Sequence, residues 1–503
     1  MSARTAPLTA LATGRYLLEY SRRPFNVVLL AAVPVVFVTL SAGALADFGR
    51  ILGAETTVRQ LEAATAGWAA SFLAAVAGFF HVAGSREADT RLASASSASA
   101  SVVVARLTSS LLLAAVAAAG ALLALAMRTD VADPLRAVIA TAMFAIIYLG
   151  IGATVGALVR SEVNGSLLLI FVWMFDVFLG PGMGSADSLV NRVFPAHFPT
   201  LVMLNASSDH AGPLGDLGAS LAWTVGGLIL AFTALLTTTR PARNRPARTT
   251  TSSWSRLTVG LRFAWREYRR NRALWVLLLA LPIFFITLSI ATTPDSPASV
   301  ELAEGDQRAV TVLSMVDVHG AIMVAITVAF LTGMAGLFVV LGSAEADRRL
   351  VIAGFRPREV LAARLGVIAL AATLVSAVAL AVTAMSFTPQ VWLTFALATL
   401  AIALTYGMIG VLLGPLVGRL GGLYLMFVLP FLDVGLAQNI MFDAAPPSWA
   451  AWMPAYGAVR VLVDGAFTPT FDETSAFLLA LAWVIGITAA AAGVFHRLAA
   501  PRV

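Results

Sequence analysis

Apolar runs long enough to cross a bilayer recur along this chain from Phe25 to Val494, and no other feature restricts its fold so severely. Inside hydrocarbon every backbone amide must be satisfied within the protein, so such runs are expected as helices. Twelve spans can be marked, at about 25–46, 66–83, 102–127, 135–158, 167–179, 220–237, 273–290, 320–341, 360–385, 391–417, 423–437 and 475–494. The fifth and eleventh are short for a bilayer and are expected to break within, or run into, the segments after them. With 59% hydrophobic and 12% charged residues among 503, and a mean hydropathy of +0.87, a soluble enzyme is excluded. The expected fold is an all-α polytopic membrane protein.

A second constraint is duplication. Glu19-Tyr20-Ser21-Arg22-Arg23 leads into a run containing Pro34 and Thr39-Leu40-Ser41. The order returns 248 residues later as Glu267-Tyr268-Arg269-Arg270, Pro282 and Thr287-Leu288-Ser289. After the second run, Ser85-Arg86-Glu87-Ala88-Asp89-Thr90-Arg91-Leu92 reappears 258 residues on as Ser343-Ala344-Glu345-Ala346-Asp347-Arg348-Arg349-Leu350. Arg106, Tyr148, Gly152 and Gly156 match Arg364, Tyr406, Gly410 and Gly414 at that spacing, and Asp176 and Phe194-Pro195-Ala196 match Asp433 and Met453-Pro454-Ala455. The change of offset places ten extra residues in the first outer loop of the second copy. The chain therefore reads as a six-span unit written twice: residues 1–237, a Thr-, Pro- and Arg-rich linker at 238–253, and residues 254–503. An even number of crossings per copy gives both copies one orientation, with an axis along the membrane normal.

Charge sets that orientation. All 33 basic residues are arginine, so a phosphate-binding loop ending in Gly-Lys-[Ser/Thr] is impossible, as is a Schiff-base lysine. Any ATP that drives this protein must bind another chain. With the N-terminus cytoplasmic, 26 arginines and eight acids fall inside, a net of +18, against a net of −10 outside. The positive-inside rule then puts both termini in the cytoplasm, and the overall +6 reports topology rather than nucleic-acid binding. Cysteine is absent, which removes disulfides and thiolate sites. His81, His197, His210, His319 and His496 lack metal-ligand spacing, so no metal is expected.

Four sets of residues are candidates for work. Residues 8–23 and 257–272, with Arg22, Arg23, Arg269 and Arg270, read as amphipathic helices on the inner surface or as an arginine collar that sets topology. Glu87, Asp89 and Arg91, and again Glu345, Asp347 and Arg349, form a polar segment between the second and third spans of each copy. Acids repeated where arginine otherwise prevails point to a docking surface; helix-capping acids in a solvated loop are the alternative. The copies differ just beyond: residues 93–101 are nearly all Ala and Ser, whereas Phe355 and Arg356 give the second a bulky, charged face. Gly152, Gly156, Gly410 and Gly414 put small residues on one helix face for close packing. Asp176 and Asp433 lie within apolar runs, marking either a pathway or carboxylates that snorkel to the outer interface. Arg106 and Arg364 are expected at the inner boundary, snorkelling. Residues 198–204 and 455–463, in long outer segments, are candidates for half-inserted or interfacial helices.

This order of surface helix, six spans, acidic segment after the second span and helical outer segment before the sixth resembles the type-2 ABC exporter permeases. The resemblance covers essentially the whole chain, twice, and is similar to fused double-length actinobacterial permeases for polyketide or multidrug export. It implies that Glu87, Asp89, Arg91, Glu345, Asp347 and Arg349, with Phe355 and Arg356 beside them, engage two ABC ATPase subunits that carry ATP and Mg. It implies no catalytic site on this chain, a bacterial cytoplasmic membrane, and a hydrophobic or amphiphilic cargo. Phe171, Trp173, Phe175, Asp176, Met426, Phe427, Phe431 and Asp433 would line the path. The sequence departs from the family where Asp89-Thr90 or Asp347-Arg348 replaces the usual Gly-Thr, and only the second copy keeps a proline, Pro357. A major-facilitator transporter shares six plus six spans, but its Gly-x-x-x-Asp-Arg-x-Gly-Arg loop is missing. A polytopic transferase would need a catalytic set that Asp47, Glu55 and Glu62 do not form.

Overall fold

The computed structural model describes residues 5–22, 24–51, 57–96, 99–131, 133–183, 191–204, 212–239, 272–305, 307–352 and 357–499. Arg23, Arg269, Arg270, Phe355, Arg356, the linker from residue 240 onward and the second surface stretch up to residue 271 lie outside the described residues. The chain divides into two compact units, Met1–Arg248 and Thr249–Val503. Among the described residues nine helices are long and apolar enough to cross a membrane, and Leu278–Thr292 is a shorter apolar helix. The chain is a multi-pass helical membrane protein.

The first unit contains α1 (Thr5–Ser21), α2 (Pro24–Ile51), α3 (Val58–Ala83), α4 (Arg86–Ser96), α5 (Ser99–Arg128), α6 (Pro134–Leu158), α7 (Glu162–Phe178), α8 (His197–Leu204) and α9 (Gly212–Thr238). The helix α3 packs against α2, α5 and α6, and 89% of its apolar window is buried, so it forms the centre of the unit. Its start is fixed by a capping box in which Thr57 accepts from the amide of Gln60 while the Gln60 side chain accepts from the amide of Thr57. The helix α1 packs on α5 and α2, burying Tyr16 while leaving Leu11 and Leu18, seven residues apart, exposed on one face.

The second unit contains α10 (Arg272–Thr292), β1 (Pro297–Glu304), β2 (Gln307–Ser314), α11 (Met315–Ile352), α12 (Pro357–Thr383), α13 (Trp392–Pro430), α14 (Tyr456–Phe467) and α15 (Thr474–Ala499). Here α11 is the buried centre, packed on α10, α12 and α13. The tenth and eleventh expected spans are two helical segments within Trp392–Ala437, separated by a kink at Gly418, whose φ of 74° only glycine adopts cheaply. The matching position in the first unit, Arg160, lies in the break between α6 and α7. One feature departs from the expected all-helical pattern: the extra residues of the second copy fold as an antiparallel hairpin, β1 on β2, turned at Gly305 with φ 61°. Its inner face buries Ala298, Val300 and Leu302. On its other side Glu301 and Arg308 join Arg460 of α14 and Glu473 before α15 in a four-membered ion network with contacts of 3.1–3.2 Å.

Lipid gives helices no hydrophobic reason to associate, so close backbone approach must supply the contact. A Cβ on Gly152 would overlap the carbonyl oxygen of Ala75, and one on Gly156 would lie 2.8 Å from that of Phe79. In the second unit Gly410 faces the carbonyl of Gly333 and Gly414 that of Leu337, the same partners 258 residues on. Gly152→Ala and Gly410→Ala should each destabilise by about 3 kcal/mol, the upper end for overpacking against rigid backbone. Gly486→Ala and Gly493→Ala, with open space around them, should change little. Thermal unfolding in detergent of the four variants measures the contrast.

Candidate functional site

Each unit carries a polar cluster where its central helix ends. In the first unit α3 stops at Gly84 and α4 begins at Arg86, its first turn bearing Glu87 and Asp89 where the helix dipole favours acids. The Asp89 carboxylate is buried and accepts two bonds from Arg106 of α5, from Nε at 3.0 Å and Nη2 at 2.5 Å. Ser85 Oγ donates to Asp89 at 3.3 Å, and Tyr16 of α1 donates its hydroxyl at 3.3 Å while its ring lies 3.6 Å beneath the Arg106 guanidinium. Burial, and then the Asp89 carboxylate, push the Tyr16 hydroxyl up to about 12, so it remains a neutral donor. The ion pair thus ties α1, α4 and α5 together. Arg86 extends the cluster by donating to the carbonyls of Gly156 and Val159, groups the end of α6 leaves unpaired.

In the second unit the polar segment is helical, not the solvated loop of the alternative reading: α11 runs unbroken from the span through Glu345, Asp347 and Arg349. Asp347 is buried and accepts from Arg364 of α12 at 2.8–3.3 Å, with Ser343 Oγ donating at 2.9 Å. Asp–Arg spacing is 17 residues in both units. Two expectations are thereby corrected. Asp89 and Asp347 are not surface contacts, because their carboxylates are enclosed by guanidinium and hydroxyl donors. Arg106 and Arg364 do not snorkel; they are buried, 2% and 8% exposed, and charge-paired. What faces solvent is the turn around them. Glu87 pairs with Arg91 at 3.5 Å and Glu345 pairs with Arg349, all four side chains at least 75% exposed. Arg22 lies in the turn just after α1 and is exposed.

A second pair of constellations lies further along each unit. Asp176 in α7 is buried and accepts from the Tyr148 hydroxyl of α6 at 2.5 Å and from the Ala196 amide at 2.7 Å. Asp433 accepts from the Tyr406 hydroxyl at 2.6 Å, from the Ala455 amide at 3.0 Å and from the Gln438 side chain. Ala196 precedes α8, and Ala455 caps α14 without a side-chain acceptor of its own. The remote carboxylate supplies what a Ser or Asp cap otherwise provides, at a helix end whose dipole favours a negative charge. Asp176 and Asp433 therefore hold the short helices 197–204 and 456–467 in place, and their side chains are buried instead of snorkelling.

Three other expected path residues are also enclosed. Trp173 donates its indole N–H to the Trp68 carbonyl at 3.0 Å and Ser71 Oγ at 2.9 Å. Met426 is fully buried near Gly333, and Phe427 packs on Phe330 with ring centres 5.7 Å apart. Phe171, Phe175 and Phe431 are half-buried, Phe171 against Phe175 and Phe431 stacked on Phe427. Those three remain at unit surfaces; Trp173, Met426 and Phe427 are core. Sequence reading missed Tyr16, Ser85, Arg86 and the pairing of Tyr148 and Tyr406 with the aspartates. Ser85 and the two tyrosines were visible as repeat matches; Tyr16 and Arg86 have no counterpart to mark them.

No family model matches the chain, and no curated protein matches it.

Arg106→Ala or Arg364→Ala leaves a buried carboxylate without its partner and should cost about 3–5 kcal/mol. Glu87→Ala and Glu345→Ala, at exposed positions, should stay within about 0.5 kcal/mol. Denaturant unfolding in micelles checks both, and equal effects at the two kinds of site would refute the assigned burial.

Proposed function

We propose that this chain is the membrane subunit of an ATP-driven exporter of a hydrophobic or amphiphilic compound, with ATP and Mg bound on two separate ABC ATPase subunits and no enzymatic site of its own. One observation carries the reading: in both units an exposed Glu/Arg pair sits one turn from a buried Asp–Arg pair that fastens it to the next spanning helix. A partner that pushes on Glu87 and Arg91, or on Glu345 and Arg349, pushes through a charge-paired joint on α5 or α12 instead of through a pliable loop. Transmission of force needs such stiffness; a solvated loop does not.

In this reading the chain comprises twelve spans as two parallel six-helix repeats, with both termini cytoplasmic in a bacterial cytoplasmic membrane. The short α7 counts as a span, and the bent stretch Trp392–Ala437 counts as two. The excess of arginine on one side supports that orientation. Closure of the ATPase pair shifts the equilibrium between two arrangements of the units, and cargo leaves as the favoured arrangement changes. The half-buried Phe171, Phe175 and Phe431 are the aromatic residues left to meet it.

The test is co-expression of the full chain with its ATPase and measurement of ATP hydrolysis in proteoliposomes. Glu345→Ala with Arg349→Ala should lower cargo-stimulated hydrolysis about tenfold while leaving the unfolding temperature unchanged. Transport that persists without an ATPase and is abolished by a protonophore would overturn the proposal in favour of a secondary transporter.

A further inference from the structure

The first unit holds a cavity of about 250 Å³ at the end of α3 far from the Asp89–Arg106 pair. Two long helices, α3 and α6, begin at it, and the chain leaving α5 closes its side. Its polar lining includes Arg59, Asp130, Asp133 and Arg136, and its apolar lining includes Met203 and Leu204 of α8. Neighbouring Arg128 is not available, since Glu62 holds it at 2.9 Å and the Thr39 carbonyl accepts from it at 2.8 Å. The lining charges are different. Arg59 and Asp130 have no ion-pair partner among the described residues. Arg136 donates Nε to the Val202 carbonyl at 2.7 Å, leaving its two terminal nitrogens free, and Asp133 uses one oxygen to cap the Arg136 amide at 3.0 Å, leaving the other.

We propose that this cavity binds a zwitterionic amphiphile, an anionic group and an ammonium a few bonds apart on a hydrocarbon chain. The two guanidiniums of Arg59 and Arg136 meet the anion. Two carboxylates meet the ammonium, and the side chains of Met203 and Leu204 meet the hydrocarbon. A purely anionic ligand would leave Asp130 and Asp133 facing like charge; a purely cationic one would do the same to Arg59 and Arg136.

The second unit lacks the site. Val391 caps α13 as Asp133 caps α6, and it does so without a side-chain bond, which fixes the correspondence of the two regions. At the same 258-residue offset Arg59 becomes Asp317, Arg136 becomes Thr394, Thr129 becomes Phe387 and Ala137 becomes Phe395. Phe387 is buried between Phe395 and Phe467, at ring distances of 6.0 and 5.7 Å. Aromatic rings occupy in the second unit positions where small residues line a cavity in the first. The inference rests on the membrane architecture and stands whether or not the chain exports anything.

The experiment titrates the full chain, purified in a maltoside detergent, with dihexanoylphosphatidylethanolamine by calorimetry. One equivalent should bind per chain. Arg59→Gln and the cavity-filling Thr129→Phe should each weaken binding at least tenfold, and dihexanoylphosphatidylglycerol, which lacks the ammonium, should bind at least fivefold more weakly. Circular dichroism and thermal unfolding establish that the variants fold; if Thr129→Phe does not, Arg59→Gln decides, because that side chain is exposed and unpaired. Native mass spectrometry separates two sources of such a ligand. Phosphatidylethanolamine retained by the chain through purification and lost from Arg59→Gln supports the site and identifies a membrane lipid; a chain purified empty that binds the added probe supports it and identifies a mobile amphiphile. Absence of saturable binding, affinity unchanged in Arg59→Gln, or equal affinity for the two lipids would overturn the proposal.

Discussion

Backbone groups and charges that a chain takes into hydrocarbon are costly unless the chain itself satisfies them, and the placement of the helices in each unit follows from that cost. The Asp89–Arg106 and Asp347–Arg364 pairs are buried charges that persist only because guanidinium and hydroxyl donors enclose the carboxylates. Such pairs add little net stability compared with apolar packing. Their effect is geometric: a bidentate fork admits one relative placement of the helices that carry it. The polar turn after the second span is thereby held in a single position against the third span in both units.

The same logic governs the other end of the sequence motif. A helix that begins at Ala196 or Ala455 has no side chain with which to cap itself, and lipid offers no water to replace the cap. Asp176 and Asp433 fill that role from another helix, each sharing one oxygen between an amide and a tyrosine hydroxyl. An acid in an apolar run thus marks a junction. Its cost is offset by the backbone donor that it satisfies, so its presence is not evidence of a conduit.

Much of this frame is legible in the amino-acid sequence. Apolar run length placed the spanning helices, because a bilayer sets their length, and the repeated residues named all four members of the Asp–Arg pairs. Burial was not legible. The pattern Glu-Ala-Asp-x-Arg looks uniformly polar, and only the helical period, which puts Asp89 on the opposite face from Glu87, decides which acid turns inward. The hairpin was visible only as ten surplus residues, since Ser-Val-Glu-Leu-Ala-Glu alternates weakly and its partner strand lies beyond a turn. The cavity left no trace, because Arg59, Asp130 and Arg136 come from three separate segments and have no counterpart in the second copy.

Differences between the copies gain meaning against what they share. Where a position bears on helix placement the two agree: glycines meet the same backbone carbonyls, aspartates the same arginines and tyrosines. Where a position lines the cavity of the first unit they diverge. Arg86, which anchors α4 to the end of α6, corresponds to Ala344, and there the anchor is unnecessary because α11 continues without a break through the same region. A covalently continuous helix and a separate short helix tied by a guanidinium are two solutions to one problem, keeping the exposed Glu/Arg pair rigid with respect to the span behind it. The exposed pairs themselves contribute almost nothing to stability in water. Glutamate and arginine nonetheless stand at the same register in both copies, on supports built so differently.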